Sequence, residues 1–213
     1  SLKIPETIEK VHESAFSGCT GIKELTMPVD LDYVNKSRPS FRDCGNIEKI
    51  TYSKGKTGIM PDTDNADIDN GSTWYYTAEY YAGNNLTTVE FEEGVKNIGA
   101  RAYCWHAGAG GSGLKNIKLA STVKKIGDDA FYENTEITKF DFSNIEELGE
   151  SSFYGCSGLT DLKIPAGMKE IPASCFYECT SLSSVSFGNG LKVLGNWAFA
   201  ACGTLNNVAI QDA

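Results

Sequence analysis

Cysteines recur at a fixed distance from phenylalanine in this 213-residue chain. The segments AFSGC at 15–19, SFYGC at 152–156 and CFYEC at 175–179 each place a cysteine three positions after the aromatic ring. Thiolates bind zinc or do redox chemistry, but zinc requires about four ligands around one point, and paired CxxC clusters are absent. We therefore interpret these cysteines as small buried residues in a structural column that tolerates weakly polar groups. The column contains Cys19, Cys44, Cys156, Cys179 and Cys202.

Two further segments have the composition of catalytic or phosphate-binding motifs. Cys104 and His106 could act as a nucleophile and a base, but residues this close in a turn rarely face each other and no third orienting group is evident. The GAGGSG stretch lacks the lysine and the following helix of a phosphate-binding loop. We predict no catalytic residues, no cofactor and a glycine-rich surface bulge at about 107–113.

An acidic segment, PDTDNADIDNG at 61–71, offers hard oxygen ligands that calcium prefers. The spacing of an EF-hand and its distal glutamate are missing. A solvated acidic loop is therefore favoured over a specific calcium site. The weak candidate ligands are Asp62, Asp64, Asp67 and Asp69.

Aromatic side chains crowd the segment STWYYTAEYYAGNNL that follows. Tyr75 and Tyr80 match buried positions of a repeat described below, which leaves Trp74, Tyr76 and Tyr81 as candidate exposed residues. Aromatic clusters beside polar loops favour protein or sugar binding. The alternative is that the same side chains pack the insertion against the solenoid.

Three tyrosines occupy the same position in consecutive repeats and predict a lateral stripe. If exposed, the stripe is a contact surface, and if half buried it is packing; the pattern slightly favours packing. These residues are Tyr132, Tyr154 and Tyr177.

Net charge and hydropathy exclude several classes of function. A net charge of −9 without a basic cluster argues against nucleic-acid binding. The sequence contains no run of 18 apolar residues, so no membrane-spanning helix is predicted. The N-terminus lacks the charged and then apolar layout of a signal peptide. The chain starts without methionine and inside a repeat, which predicts a fragment of a longer protein.

A repeat of 22–23 residues positions all of these side chains. Units start at Leu2, Leu25, Ile50, Val89, Ile117, Phe140, Leu162 and Val185, with a stub at Val208, and an insertion occupies about 55–74. Alternation such as LKIP at 162–165 predicts short strands, and segments such as ESSFYGCS predict short helical turns. Glycines such as Gly127 and Gly149 are expected in turns that need positive φ. Stacked units bury a common core, so the fold class is an α/β repeat solenoid of about eight units in a single domain, 1–213.

The motifs LKIPETIEKVHESAFSGCTGIKE and LKIPAGMKEIPASCFYECTSLSS resemble the BspA-like class of bacterial leucine-rich repeats. The resemblance covers almost the whole chain except about 55–74. It implies a solenoid with a parallel strand ladder on one face, carried by secreted or cell-surface proteins that adhere to host or microbial partners, and it implies no catalytic residues.

Together these observations predict a non-enzymatic, extracellular or cell-surface binding or adhesion module that recognises a protein or glycan on a host or neighbouring cell. The alternative is a passive structural spacer that carries other domains. Because neither end resembles a capping repeat, self-association through the solenoid ends is a further expectation.

Overall fold

The computed structural model describes residues 1–12, 14–33, 40–41, 43–62, 85–104 and 113–211. These residues form a parallel-strand solenoid of about seven turns. The predicted leucine-rich-repeat solenoid with short parallel strands is thereby confirmed, whereas its short helical turns are not found.

The described residues contain fifteen strands of two to five residues each. In chain order they are β1 (Leu2–Lys3), β2 (Lys10–Val11), β3 (Glu24–Pro28), β4 (Asp32–Tyr33), β5 (Lys49–Ser53), β6 (Thr88–Phe91), β7 (Asn97–Ile98), β8 (Asn116–Lys118), β9 (Lys125–Ile126), β10 (Glu147–Leu148), β11 (Asp161–Ile164), β12 (Glu170–Ile171), β13 (Ser184–Gly188), β14 (Val193–Leu194) and β15 (Asn207–Gln211).

The first side of the coil is a ladder of parallel strands whose register follows the repeat. Leu25 pairs with Leu2 on one side and with Ile50 on the other, and Val185 pairs with Leu162 and Val208 in the same way. The ladder is divided into two sheets, with the orders β1-β3-β5-β6-β8 and β11-β13-β15. The unit that starts at Phe140 contributes no strand to either sheet.

A second side of the coil consists of two-residue strands that the sequence analysis did not predict. They pair in parallel as β2-β4, as β7-β9-β10 and as β12-β14. Ile126 pairs with Ile98 and with Leu148, and each of these residues immediately precedes a glycine. Two residues are too few for an alternating pattern to stand out in a sequence.

The glycines after these short strands are needed for close packing and not for positive φ, so the expectation for them was wrong. A Cβ on Gly127 would lie 2.4 Å from the backbone nitrogen of Ala100, and a Cβ on Gly149 would lie 2.3 Å from that of Asp128. Glycine therefore lets one turn of the coil approach the backbone of the turn before it.

The third side contains turns where short helices were predicted, and that part of the fold prediction was wrong. Alternate amides bond to the next turn of the coil: Asp129 N to Glu150 O at 2.9 Å and Phe131 N to Ser152 O at 2.8 Å. The amides between them bond locally, three residues back, and Asp129 itself has φ of 52°. Because every second amide bonds to a neighbouring turn, the repeating i−4 bonds of an α-helix cannot form.

Stacked aromatic rings lie along the axis of the core, as the repeat predicted. Phe131, Phe153 and Phe176 are fully buried, and their ring centroids lie 5.2 and 5.5 Å apart in sequence order. Tyr103 continues the stack at 5.5 Å from Phe131 and Phe199 continues it at 5.3 Å from Phe176. We call this phenylalanine or tyrosine of each repeat its anchor. The anchors form an inward-facing column in the described repeats that contain one.

Candidate functional site

The cysteine column serves backbone hydrogen bonding. The Sγ atom of Cys156 donates to the carbonyl oxygen of Phe131 at 3.1 Å, and Cys202 Sγ donates to Phe176 O at 3.1 Å. Asn134 occupies the same position in its repeat and donates through Nδ2 to Tyr103 O at 2.6 Å. Each side chain therefore ties its turn to the anchor residue of the preceding turn, and all seven cysteines are free thiols.

Burial makes three of these thiols unreactive, whereas Cys19 is exposed. Burial raises the pKa of Cys175 to about 12, and it raises the pKa of Cys156 and Cys179 well above the ordinary value of 9.0. The thiolate is the reactive form of cysteine, so at neutral pH these residues are poor nucleophiles and poor metal ligands. Cys175 lies 3.2 Å from Ser152 Oγ and is not bridged to Cys179.

The other chemical candidates fall mostly outside the described residues. His106, Trp74, Tyr76, Tyr81, Asp64, Asp67 and Asp69 all lie there, so their predicted roles stay predictions. Cys104 is buried, with 4% of its surface exposed. Asp62 accepts a hydrogen bond from the Ala100 amide at 2.7 Å. Within the described residues, no group of three or more side chains is arranged to hold a metal ion.

Tyr132, Tyr154 and Tyr177 form a stacked, half-buried ladder on the side of the coil that contains the turns. The ring centroids of Tyr132 and Tyr154 lie 4.6 Å apart at an interplanar angle of 8°, and those of Tyr154 and Tyr177 lie 4.9 Å apart at 15°. All three side chains are partly exposed. The structure therefore places the predicted stripe as one surface, which we call the tyrosine ladder; its role in binding stays a prediction.

Carboxylates flank the tyrosine ladder. The pKa of the Tyr132 hydroxyl is raised mainly by burial and, to a smaller extent, by the charge of Glu133. The pKa of Tyr154 is raised mainly by burial and, to a smaller extent, by the charge of Glu178. The hydroxyl groups of Tyr132 and Tyr154 therefore stay neutral at physiological pH. The surface combines stacked aromatic rings with negative charge, and the carboxylates attract cationic groups.

A groove in the strand side was not predicted from the sequence. Its volume is about 720 Å³ and it lies where the long ladder is interrupted, beside Phe140. The signal that would have found it is a pair of aromatic residues, Phe140 and Phe142, in the two inward positions of one strand segment. In every other unit at least one of these positions is aliphatic.

Comparison with solved structures gives the same architecture. A leucine-rich repeat protein from Bacteroides ovatus matches with 20% identity and a TM-score of 0.50, over 97% of this chain and 60% of that one. A leucine rich cell surface protein from Faecalibacterium prausnitzii matches with 17% identity and a TM-score of 0.44, over 97% and 59% of the two chains. The chain thus spans about 60% of the length of these structures. At 20% identity, the likeness to the Bacteroides ovatus structure shows the fold alone.

Two searches concern the family of the chain. No curated protein gives a significant match. None of the described residues belongs to a helix long and apolar enough to cross a membrane. The family model described as BspA type leucine rich repeat region matches residues 1–105 and 109–213, in six copies. Repeat register, anchor column and family match agree, and the chain belongs to the BspA-type leucine-rich repeat family, a non-enzymatic repeat family.

Proposed function

We propose that this chain is the non-enzymatic, partner-binding part of a secreted or cell-surface protein, and that the tyrosine ladder binds a basic segment of a protein partner. The single observation that carries the proposal is the continuous stack of three partly exposed tyrosines beside carboxylates. Tyrosine is enriched at interfaces because it offers a large, rigid contact area and a polar hydroxyl. Membership of the BspA-type family supports a surface location.

The partner's chemistry follows from the surface. Both faces of the Tyr154 ring are covered by its neighbours, so a lysine or arginine side chain can lie over a ring face only at an end of the stack, beyond Tyr132 or Tyr177. There it gains from the ring's electron-rich centre, and this contribution is about 0.5–1 kcal/mol at exposed sites. Glu178 is exposed beside the ladder and offers an ion pair to the same segment. Arginine suits this position best, because its planar guanidinium both stacks on rings and pairs with carboxylates.

The test is a screen of host and microbial surface proteins and glycans against wild type and a Tyr132/Tyr154/Tyr177 triple alanine variant. Alanine is a suitable replacement because Ala200 occupies the same position in the last complete repeat. We expect binding by wild type and a loss of about tenfold or more in the variant. Unchanged binding by this variant would exclude the tyrosine ladder as the contact surface.

A matched variant changes the other predicted aromatic surface, Trp74, Tyr76 and Tyr81, to alanine. If only this variant loses binding, the contact surface is the insertion and the tyrosine ladder is packing. If both variants bind as wild type does, neither predicted surface is the binding site.

A passive spacer is the second candidate function. It is favoured by the hydrogen bonds that tie each turn of the coil to the next, such as those of Phe131 and Phe153 to the following turns. Such a coil holds its ends at a fixed separation. A screen in which wild type binds none of the proteins or glycans would favour the spacer over the binding module.

A further inference from the structure

The strand side carries a groove where the long ladder is interrupted. Among the strands that the structure describes, β8 pairs with β6 alone and β11 pairs with β13 alone. Within the described residues, the backbone of 138–141 forms no backbone hydrogen bond to either neighbouring strand. The groove of about 720 Å³ at this interruption falls within the range of about 300–1,000 Å³ that small-molecule sites have.

Two phenylalanines in one strand segment account for the interruption. The Phe140 ring lies 4.8 Å from that of Phe153 and 4.6 Å from that of Phe142, centroid to centroid. Phe142 in turn packs edge-on against Phe153 and Phe176. Because other turns place at most one aromatic residue here, we attribute the displaced backbone to the extra ring volume beneath it. The groove is therefore encoded in the sequence of this one repeat.

The lining of the groove contains more lysines than acidic residues. Four lysines line it against two aspartates, whereas the whole chain has a net charge of −9. Lys118 pairs with Glu90 at 2.5 Å and Lys115 pairs with Glu136 at 3.6 Å. Lys139 and Lys163 form no ion pair with any residue that the structure describes. Two ammonium groups in the groove wall are thus available to a ligand's negative charge.

The remaining lining argues for an anionic ligand that also carries hydroxyl groups. Asp141 and Asp161 accept hydrogen bonds but would repel a dense polyanion such as a nucleic acid or a sulfated chain. The side chains of Thr88, Asn116 and Thr138 can donate or accept hydrogen bonds. Phe140 is half buried and lines the groove, so it offers an apolar contact for the face of a sugar ring.

We propose that this groove binds a carboxylated oligosaccharide, such as one containing uronic acid. The carboxylate pairs with Lys139 and Lys163, the hydroxyl groups bond to Asp141 and Asp161, and one sugar ring packs on Phe140. This site is separate from the tyrosine ladder, which lies on the side of the coil that contains the turns. If the groove binds no oligosaccharide, the proposal that the tyrosine ladder binds a protein is unaffected. If the tyrosine ladder binds no protein, the proposal for the groove is likewise unaffected.

Isothermal titration calorimetry with a galacturonic acid trimer and with its methyl ester tests the site. We expect wild type to bind the acid and to bind the ester about tenfold or more weakly, because the ester lacks the charge that the lysines pair with. The Lys139→Gln/Lys163→Gln variant should bind the acid about tenfold or more weakly than wild type. Phe140→Leu should also bind it more weakly; leucine occupies this position in three other repeats, so the fold should tolerate it.

The control is Lys3→Gln/Lys192→Gln, which removes the same charge from two exposed lysines outside the groove. It should bind the acid as wild type does. The proposal is overturned if wild type does not bind the acid, if acid and ester bind equally, or if the control loses as much affinity as Lys139→Gln/Lys163→Gln. Tighter binding of polyglutamate or dextran sulfate than of the trimer would also overturn it, because the ligand would then be a peptide or a polyanion.

Discussion

At the scale of single residues, the column three positions after each anchor acts as a hydrogen-bond donor. Cysteine and asparagine differ in size and polarity, yet both donate to the carbonyl oxygen of the preceding anchor, as Cys156 and Asn134 do. The sequence predicted a structural role for this column because the sulfur atoms cannot surround one metal ion. It could not identify the acceptor, because the partner carbonyl lies about 25 residues earlier.

Substitutions at Asn134 test this role. Asn134→Leu removes the side-chain donor to Tyr103 O in a fully buried site and should lower the free energy of unfolding by about 1–3 kcal/mol. Asn134→Cys should cost less, because a thiol makes the corresponding bond in four other turns. Urea denaturation of both variants measures the difference, and equal losses would show that the donor is irrelevant.

Alkaline pH should destabilise the fold through the buried thiols. In the unfolded chain Cys175 ionises near its ordinary pKa of 9.0, whereas burial in the folded chain raises that pKa to about 12. Between these values the folded state binds more protons, so the free energy of unfolding falls as pH rises. One such thiol contributes a slope of about 1.4 kcal/mol per pH unit over this window.

Cys175→Ala isolates that contribution. Alanine occupies the same position at Ala130 and Ala198, so the variant should fold. Denaturant titrations between about pH 9 and 12 should show a shallower loss of stability than in wild type, by the slope of one thiol. An unchanged slope would mean that Cys175 is not protonated in the folded state over this range.

At the scale of elements, the long strands were predictable and the other two sides were not. Alternation and the 22–23-residue period gave the register in which Leu2, Leu25 and Ile50 pair. The two-residue strands are too short to leave a pattern, and segments such as 150–156 have the composition of helices. Their amides bond between turns of the coil, which is a tertiary effect that local propensity does not contain.

The site was predictable to a similar extent. The tyrosine ladder followed from its period, because equal spacing in a solenoid places Tyr132, Tyr154 and Tyr177 in one line. The groove did not, because it depends on how the volumes of Phe140 and Phe142 are accommodated by the neighbouring repeats. Packing of this kind is not visible when each strand position is examined separately.

Gly149→Ala tests the close approach of neighbouring turns. Its Cβ would lie 2.3 Å from Asp128 N, so one backbone must move, and we expect a loss of about 1–3 kcal/mol. Gly167→Ala is the control, because φ of Gly167 is not positive and its Cβ would meet no atom within 4 Å. Thermal unfolding of both variants gives the comparison, and an equal or larger loss for Gly167→Ala would refute the packing argument.

At the scale of the whole molecule, apolar side chains are exposed on the last turns. Trp197, Val208 and Ile210 are 71%, 60% and 74% exposed, and β15 forms the outer edge of its sheet. Among the described residues no strand covers this edge, and an edge with apolar neighbours favours pairing with another chain. Pairing of β15 in one copy with β1 in the next would be head-to-tail, and such a contact need not close on itself.

We therefore expect this 213-residue chain to self-associate as its concentration rises. The double substitution Val208→Glu/Ile210→Glu should shift the equilibrium toward monomer, because it places charge on the exposed edge. Sedimentation velocity over a concentration series measures the self-association of wild type and of the variant. A wild-type chain that stays monomeric throughout the series would contradict this expectation.

The central claim is that phenylalanine rings stack along the inside of the coil while tyrosines stack in register on the outside. A crystal structure of the chain tests it most directly. We predict Phe131, Phe153 and Phe176 buried with successive ring centroids 5.2 and 5.5 Å apart, and Tyr132, Tyr154 and Tyr177 partly exposed at 4.6 and 4.9 Å. Phenylalanine rings in solvent, or tyrosines in unrelated environments, would contradict both the fold and the surface proposed to bind.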